Sequence, residues 1–184
     1  MGRRRQPMVA AHDGEVALAL PPEYRALVQA LVSETVELLG PVPDDPIAAV
    51  LDMSPVERPD DPVLRRLLPD GYADDVDEGA AASEFRRLTD GDLRAGKRAD
   101  AQRVLATVGD ASLSVDDAEA WTRALNDVRL ALGARLGLEH DGDAEERRGA
   151  SARRGVADPL LDVYELFAYL QTLLIDVLDE IAPV

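Results

Sequence analysis

The chain contains no cysteine among its 184 residues, so it can form no disulfide, has no thiol nucleophile and cannot build a cysteine-based zinc finger. Aromatic residues make up only 4% of the sequence, so its core must be built mainly from aliphatic side chains. Basic residues are scarce too: 20 Lys and Arg stand against 36 Asp and Glu, which gives a formal net charge of −16. This charge argues against general binding to nucleic acid or to an anionic membrane, because both need a positive protein surface.

Long apolar runs and the common catalytic motifs are also missing. No segment approaches the roughly 18 apolar residues that a transmembrane helix needs, and the N-terminal Arg run precedes no apolar stretch of signal-peptide length. We therefore expect a cytoplasmic protein that makes no membrane contact. The sequence has no glycine-rich phosphate loop, no nucleophile elbow and no HExxH zinc motif. Its two histidines, His12 and His140, stand in predicted turns without a second metal ligand at a useful spacing.

These absences predict a protein that is not an enzyme and that has no catalytic residue, no cofactor and no metal site. A catalytic set would have to be built without cysteine, without a well-placed histidine and with a single lysine, Lys97. An enzyme of unknown reaction remains an alternative, and it would need a deep pocket in which polar groups converge.

Apolar residues recur at three- and four-residue steps in four long segments, which is typical of amphipathic helices. These helices are predicted at about 22–39, 90–108, 114–137 and 159–181. Near the N-terminus, Val16, Leu18 and Leu20 instead alternate with other residues after the turn dipeptide Asp13-Gly14, which predicts a short hairpin. The predicted fold class is all-α: a helical bundle of four main helices plus short helices, with a small N-terminal β-hairpin.

Between the predicted helices lie segments that are rich in Pro, Gly or charge and lack apolar periodicity. Pro has no backbone N–H and disfavours helix in the residue before it, so such segments form connections. We predict a disordered basic tail at 1–7 and a single helical domain at 8–183, with flexible insertions at about 41–62, 70–80 and 139–157. Short helices are expected at 47–53, 62–68 and 81–88. The last of these ends before a predicted capping box, in which Thr89 precedes Asp92 by three residues.

The segment that begins at Ser114 contains the single Trp of the chain and the clearest helical pattern. Ser114 is expected to cap this helix, and the apolar stripe that includes Trp121 is expected to face the core. Asn126, Asp127 and Arg129 interrupt the apolar pattern. Two interpretations are open for these three residues: a solvated flank, or a partly buried polar network that fixes the helix register or binds a partner.

Six of the 20 basic residues fall within 18 positions of this otherwise acidic chain. They are Arg86, Arg87, Arg94, Lys97, Arg98 and Arg103. Positions 94, 97 and 98 share one helix face because of their spacing. The cluster predicts binding to an acidic surface of a protein partner or to DNA phosphates. Alternatively, it neutralises the chain's own acids, such as those at 74–78.

Two further patterns bear on DNA binding and on dimer formation. A helix, the GDASLS turn and the helix from Ser114 have the rhythm of a helix-turn-helix, but the second helix begins with Asp116 and Asp117. These acids would face phosphates of the same charge, which argues against direct DNA binding.

The 159–181 helix carries a heptad stripe of apolar residues, which predicts either a core helix or the contact of a structural homodimer.

The sequence also contains the blocks DPVLRRLLPDGYADD, EFRRLTDGDLRAGKR, AWTRALNDVRLALGARLG and DVYELFAYLQTLLIDVL. From about residue 14 to residue 180 the chain resembles an actinobacterial family, the AosR-like oxidative-stress transcription regulators, formerly described as a domain of unknown function. The resemblance implies a cytoplasmic regulatory or adaptor protein that acts through protein partners, among them a sigma factor or another transcription component. Redox sensing attributed to the family needs a cysteine pair, so a cysteine-free member cannot use a disulfide of its own.

Overall fold

A computed structural model of the chain describes residues 7–41, 58–69, 79–140 and 142–182. This part of the chain is mainly helical, with six helices and three short strands. In chain order the elements are β1 (Met8–His12), β2 (Glu15–Ala19), α1 (Pro22–Leu39), α2 (Pro62–Leu67), α3 (Gly79–Thr107), β3 (Ser112–Leu113), α4 (Val115–Leu136), α5 (Asp143–Arg154) and α6 (Pro159–Ile181). The predicted fold class, a helical bundle with short helices and a small N-terminal hairpin, is confirmed.

Strands β1 and β2 form the predicted hairpin, with Ala11 opposite Val16 in the antiparallel ladder. Its turn residues, Asp13 and Gly14, both have positive φ angles, of 51° and 80°, as the tight turn favoured by Asp-Gly requires. Strand β3 was not predicted. It lies in the GDASLS segment and extends the sheet in the order β1-β2-β3, with Leu113 opposite Val16. The connection between α3 and α4 is therefore part of the sheet.

The ends of the long helices follow from local sequence signals. Helix α1 has Pro22 at its first position and ends before Gly40, whose φ of 70° lies in the left-handed region. Ser114 caps α4 as predicted, because its hydroxyl oxygen accepts from the backbone N–H of Asp117 at 3.1 Å. The same hydroxyl donates to the Asp117 carboxylate at 2.6 Å. The Asp158 carboxylate accepts a backbone N–H in the first turn of α6.

Helix α3 is continuous where the sequence predicted two helices, at 81–88 and 90–108. The predicted capping box at Thr89 is wrong. Its hydroxyl donates instead to the carbonyl of Phe85, four residues earlier in the same helix, at 2.8 Å. Threonine can make this bond inside a helix, so the spacing of Thr89 and Asp92 does not distinguish a helix start from a helix interior.

Helix α5 occupies most of the segment at 139–157, so the prediction of a flexible loop there is wrong. The helix has no buried residue and remains on the surface. A helix that is polar all round has no apolar period, which explains why the pattern did not reveal it. Acidic residues in its first turn and Arg153 and Arg154 in its last turn complement the helix dipole.

Other predicted segments fall outside the described residues. These are residues 1–6 of the tail, residues 42–57 with the short helix expected at 47–53, and residues 70–78. Helix α3 begins at Gly79, so the insertion predicted at 70–80 overlaps its first turn. Helix α2 confirms the short helix expected at 62–68.

The core is mainly aliphatic and surrounds α4, which packs against α2, α3 and α6. Trp121 and Phe167 are its largest fully buried side chains. The heptad stripe of α6 is buried through Phe167, Leu170, Leu174 and Val177, so this stripe packs inside the chain. None of the described helices combines the length and the apolar character needed to cross a bilayer.

Candidate functional site

A groove of about 420 Å³ opens between α3 and α4. Helix α6 contributes Gln171 to its lining, which otherwise consists of Asp92, Leu93, Gly96, Lys97 and Asp100 of α3 and Thr122, Arg123, Asn126 and Asp127 of α4. Two sets of predicted residues meet there. Lys97 belongs to the basic cluster, and Asn126 and Asp127 belong to the polar row, which is the set of three residues (Asn126, Asp127 and Arg129) that interrupt the apolar pattern of α4. The groove is therefore the candidate site.

Lys97 and Asp127 form an ion pair in the groove. The ammonium nitrogen of Lys97 donates to Oδ1 of Asp127 at 2.5 Å, and the two side chains are only 17% and 6% exposed. Burial raises the pKa of Asp127 above its ordinary value, and the hydrogen bond and charge of Lys97 oppose that rise. The pair holds α3 and α4 in one register, because separating it would leave two largely buried charges without a partner.

The other polar groups of the groove differ in how well they are paired. Asp100 accepts from two guanidinium nitrogens of Arg123, at 2.8 and 3.0 Å, and this bond raises the pKa of Arg123. Arg123 also lies 3.6 Å from a carboxylate oxygen of Glu119. In the part of the chain that the structure describes, the side chains of Asp92 and Asn126 make no hydrogen bond or ion pair with the protein. One carboxylate and one amide of the groove therefore have their bonding capacity unused.

Two members of the basic cluster, Arg94 and Arg98, are bound to the C-terminal end of α1. The Arg98 guanidinium donates to the carbonyls of Val36 and Gly40, at 2.7 and 2.5 Å. Arg94 donates to the carbonyl of Leu39 at 2.6 Å. Helix α1 has no basic residue in its last turn, and its last carbonyls lack donors within the helix. The two guanidinium groups supply these donors and place positive charge at the negative end of the helix dipole.

The remaining members of the basic cluster also have partners within the chain. Arg87 pairs with Glu84 at 2.6 Å, and Arg103 lies 3.7 Å from Asp117 with half of its side chain exposed. Arg86 likewise interacts with other groups of the protein. These contacts match the alternative in which the cluster neutralises the chain's own acids, although the acids at 74–78 lie outside the described residues. Partner binding by the six residues stays a prediction.

Arg129, the third residue of the polar row, contacts α6. Its guanidinium donates to the Gln171 side-chain oxygen at 2.5 Å and to the Tyr164 hydroxyl at 3.3 Å, and its central carbon lies 5.3 Å from the Tyr164 ring centroid. The Gln171 amide donates in turn to the carbonyl of Thr122 at 3.2 Å. The polar row thus consists of two separate contacts, one from Asp127 to α3 and one from Arg129 to α6. Asn126 lies in the groove and makes neither of these contacts.

Sequence reasoning missed seven of the ten residues that line the groove, since only Lys97, Asn126 and Asp127 were predicted site residues. Asp92, Gly96 and Asp100 recur at four-residue steps, so they lie on one side of α3, and this spacing was the signal available. Gln171 gave no local signal, because it reaches the groove from a helix distant in sequence. Across the described residues, no three His, Asp or Glu side chains are grouped so that they could hold a metal ion.

Comparison with known proteins gives a family match. The family model described as "Domain of unknown function (DUF2017)" matches residues 5–178. A protein named oxidative stress regulator AosR in Mycobacterium tuberculosis (strain ATCC 25618 / H37Rv) is 36% identical over 154 residues, which cover 72% of this chain and 71% of that protein. A Mycobacterium leprae (strain TN) relative, which bears this name provisionally, is 35% identical over 190 residues, covering 95% of this chain and 82% of the relative. No solved structure matches the chain.

Proposed function

Because the chain belongs to the DUF2017 family, we propose that it is a regulatory protein of the oxidative-stress response that acts through contact with another protein. Membership of this family confirms the resemblance carried by the four sequence blocks. The proposed contact surface is the groove between α3 and α4. The protein would act in the cytoplasm on a transcription component, for which a sigma factor is one example.

Two observations support a regulator without chemistry of its own. The relatives are named as regulators and their names give no enzymatic reaction. Moreover, the chain has no cysteine, so a redox signal cannot be converted into a disulfide within it. A redox signal carried by thiol chemistry would therefore have to reach this protein through another molecule.

The unpaired groups of the groove are the observation that carries the proposed contact surface. Asp92 and Asn126 have unused bonding capacity, and they stand beside the buried Lys97–Asp127 pair, which fixes the two helices. Because that pair fixes the two helices, the backbone positions that carry Asp92 and Asn126 stand at a fixed spacing before a partner binds.

Gly96→Leu is the variant that tests this surface. A Cβ at Gly96 would meet no atom within 4 Å, so a larger side chain can enter the groove without displacing the packing of the bundle. Gly91 lies on the same helix with the same free space but does not line the groove. Gly91→Leu is therefore a matched control for the change in helix propensity.

The experiment uses a strain of the source organism from which the gene is deleted. We expect deletion to change survival and transcript levels after exposure to hydrogen peroxide. The wild-type gene and Gly91→Leu should restore the response, whereas Gly96→Leu should not. Equal restoration by both leucine variants would exclude the groove as the contact surface. A peroxide response that is unaffected by the deletion would exclude the regulatory role.

A homodimer formed through the 159–181 helix is a second candidate. The buried stripe of α6 is used within the chain, but Tyr169 and Ile175 remain 44% and 41% exposed on the same helix. The exposed Thr172 lies between them on the helix, and a second copy could cover each of these two apolar side chains. Light scattering after size exclusion tests the candidate, which fails if the protein stays monomeric at high concentration.

A further inference from the structure

We propose that the groove between α3 and α4 receives an arginine or lysine side chain from a basic amphipathic helix of the partner protein. The inference rests on the proposed function, in which the groove is a protein contact surface, and it adds the chemical class of the partner. It is carried by the charges that line the groove, by the empty position at Gly96 and by the exposed leucines beside it.

The charges of the groove favour a cation. Its lining holds three carboxylates and two basic side chains, and both basic side chains are committed: Lys97 to Asp127, and Arg123 to Asp100. The carboxylate left over belongs to Asp92. Arg94, the basic residue nearest to Asp92 in sequence, is already bound to Asp90 and to α1. An incoming cation would thus complete a pairing that the chain leaves open, and the net charge of −16 would attract it from a distance.

The geometry of α3 leaves room for that cation. Leu88, Asp92, Gly96 and Asp100 follow one another at four-residue steps and so form one row along the helix. Each step advances about 6 Å along the axis. A cation seated over Gly96 would therefore have a carboxylate on either side, and the absent side chain leaves the space open because a Cβ there would touch nothing.

The rest of the contact would be apolar. Leu88 at the end of the row is 51% exposed, and Leu93, which lines the groove, is 37% exposed. Both leucines precede Gly96 along α3, and exposed apolar side chains on one side of a cation position are what an amphipathic helix with a basic residue in its apolar face would cover. The unused amide of Asn126 on the opposite wall could accept from the guanidinium or ammonium group, since an amide offers an acceptor as well as donors.

The test is a binding titration with a defined probe. The probe is a short fluorescein-labelled synthetic helix with leucines on one face and a single central arginine in that face. The comparison probe replaces this arginine with citrulline, which keeps its shape and removes its charge. Fluorescence anisotropy with the full chain at low ionic strength should show binding of the arginine probe. The citrulline probe should bind about tenfold or more weakly, the loss expected for one charge pair.

Two matched pairs of variants locate the binding. Asp92→Asn should weaken the arginine probe by about tenfold, whereas Asp110→Asn makes the same charge change at an exposed residue outside the groove and should have little effect. Gly96→Leu should abolish binding that Gly91→Leu leaves intact. Equal binding of both probes, no binding of the arginine probe, or equal effects within either pair of variants would overturn the inference.

The inference and the proposed function can fail separately. If the arginine probe does not bind but Gly96→Leu fails to restore the peroxide response, then the groove is a contact surface for a partner of different chemistry. If the probe binds as described but both leucine variants restore the response, then the groove takes a cationic side chain without serving the proposed function.

Discussion

Helices α3 and α5 are both rich in charge and both use ion pairs to contact their neighbours, but the pairs stand in different surroundings. In α3, the Lys97–Asp127 pair is almost completely removed from water. In α5, Arg148 bonds to Asp162 and Glu165 of α6 with all three side chains more than a third exposed. The comparison shows that the number of ion pairs says little about how firmly a helix is held.

The physical reason is the solvent. An exposed charge that loses its partner interacts almost as favourably with water. An exposed pair therefore contributes little to stability and is screened by salt. A buried charge that loses its partner has no such alternative, and the unpaired state is strongly destabilised. We therefore expect α3 to be fixed and α5 to open locally while the bundle stays folded.

The largest effect is expected for Lys97→Met. This change leaves Asp127 buried without a partner, so the free energy of unfolding should fall by about 3 kcal/mol or more. Urea denaturation followed by circular dichroism measures it. The double variant Lys97→Met/Asp127→Leu should recover much of the loss, because an apolar pair needs no ionic partner. If Lys97→Met lowers the free energy of unfolding no more than the loss of an exposed ion pair does, the assignment of a buried pair is wrong.

Arg98→Met should have the next largest effect. It removes the donors to the carbonyls of Val36 and Gly40, and unsatisfied, partly buried carbonyls cost about 1–3 kcal/mol. Urea denaturation measures the global loss, and hydrogen exchange should show faster opening in the last turn of α1. Arg103→Met is the control, since Arg103 is half exposed and its single carboxylate contact is long. Equal losses in the two variants would show that Arg98 does not act as a cap.

The two regions should also respond to pH with opposite signs. Burial raises the pKa of Asp127, so its contribution to stability is fully present below the ordinary aspartate pKa of about 3.9 and is lost as pH rises through the raised value. The hydrogen bond from Arg147 lowers the pKa of Asp158, so its contribution is present above the ordinary pKa and is lost as pH falls through the lowered value. Carbon-13 carboxyl titration by NMR should give Asp127 a midpoint above Asp158. A midpoint of Asp127 below that of Asp158 would contradict the opposite signs of the two pKa shifts.

The smallest global effect is expected for Arg148→Gln. Because its ion pairs are exposed, the urea midpoint should stay close to that of the wild type, while the amides of α5 should exchange faster. High salt should produce the same local change in the wild type. A fall in the midpoint like that of Lys97→Met would mean that α5 is part of the cooperative core.

The sequence predicts those parts of the fold that local chemistry determines. Helices α1, α4 and α6 show an apolar period and bear recognisable residues at their ends, and the Asp13-Gly14 hairpin has a specific turn requirement. Helix α5 could not be predicted in this way, because a polar surface helix has no apolar period in its sequence. Strand β3 escapes it because two residues become a strand only through pairing with β2, which is remote in sequence.

The candidate site is harder to predict because its contacts join distant segments. The spacing of Arg94, Lys97 and Arg98 on one face is visible in the sequence, but their acceptors are carbonyls of α1 and a carboxylate of α4. From the sequence alone, a row of basic residues therefore looks like an exposed surface that is free to bind a partner. Only the fold shows which groups of the chain these residues contact. Asp92, with no partner among the described residues, could not be distinguished from the many other acids of the chain.

Trp121 gives the contact between α3 and α4 a built-in optical reporter. It is the single tryptophan of the chain, it is 1% exposed, and its indole N–H donates to the hydroxyl of Thr107 in the last turn of α3 at 2.8 Å. All intrinsic tryptophan emission thus comes from a residue of α4 that is bonded to α3. A partner that shifts one helix against the other would change the emission wavelength, whereas one that only fills the groove would leave the spectrum unaltered. With a partner that contains no tryptophan, unlabelled protein is therefore enough to tell a contact that moves the helices from one that leaves them in place.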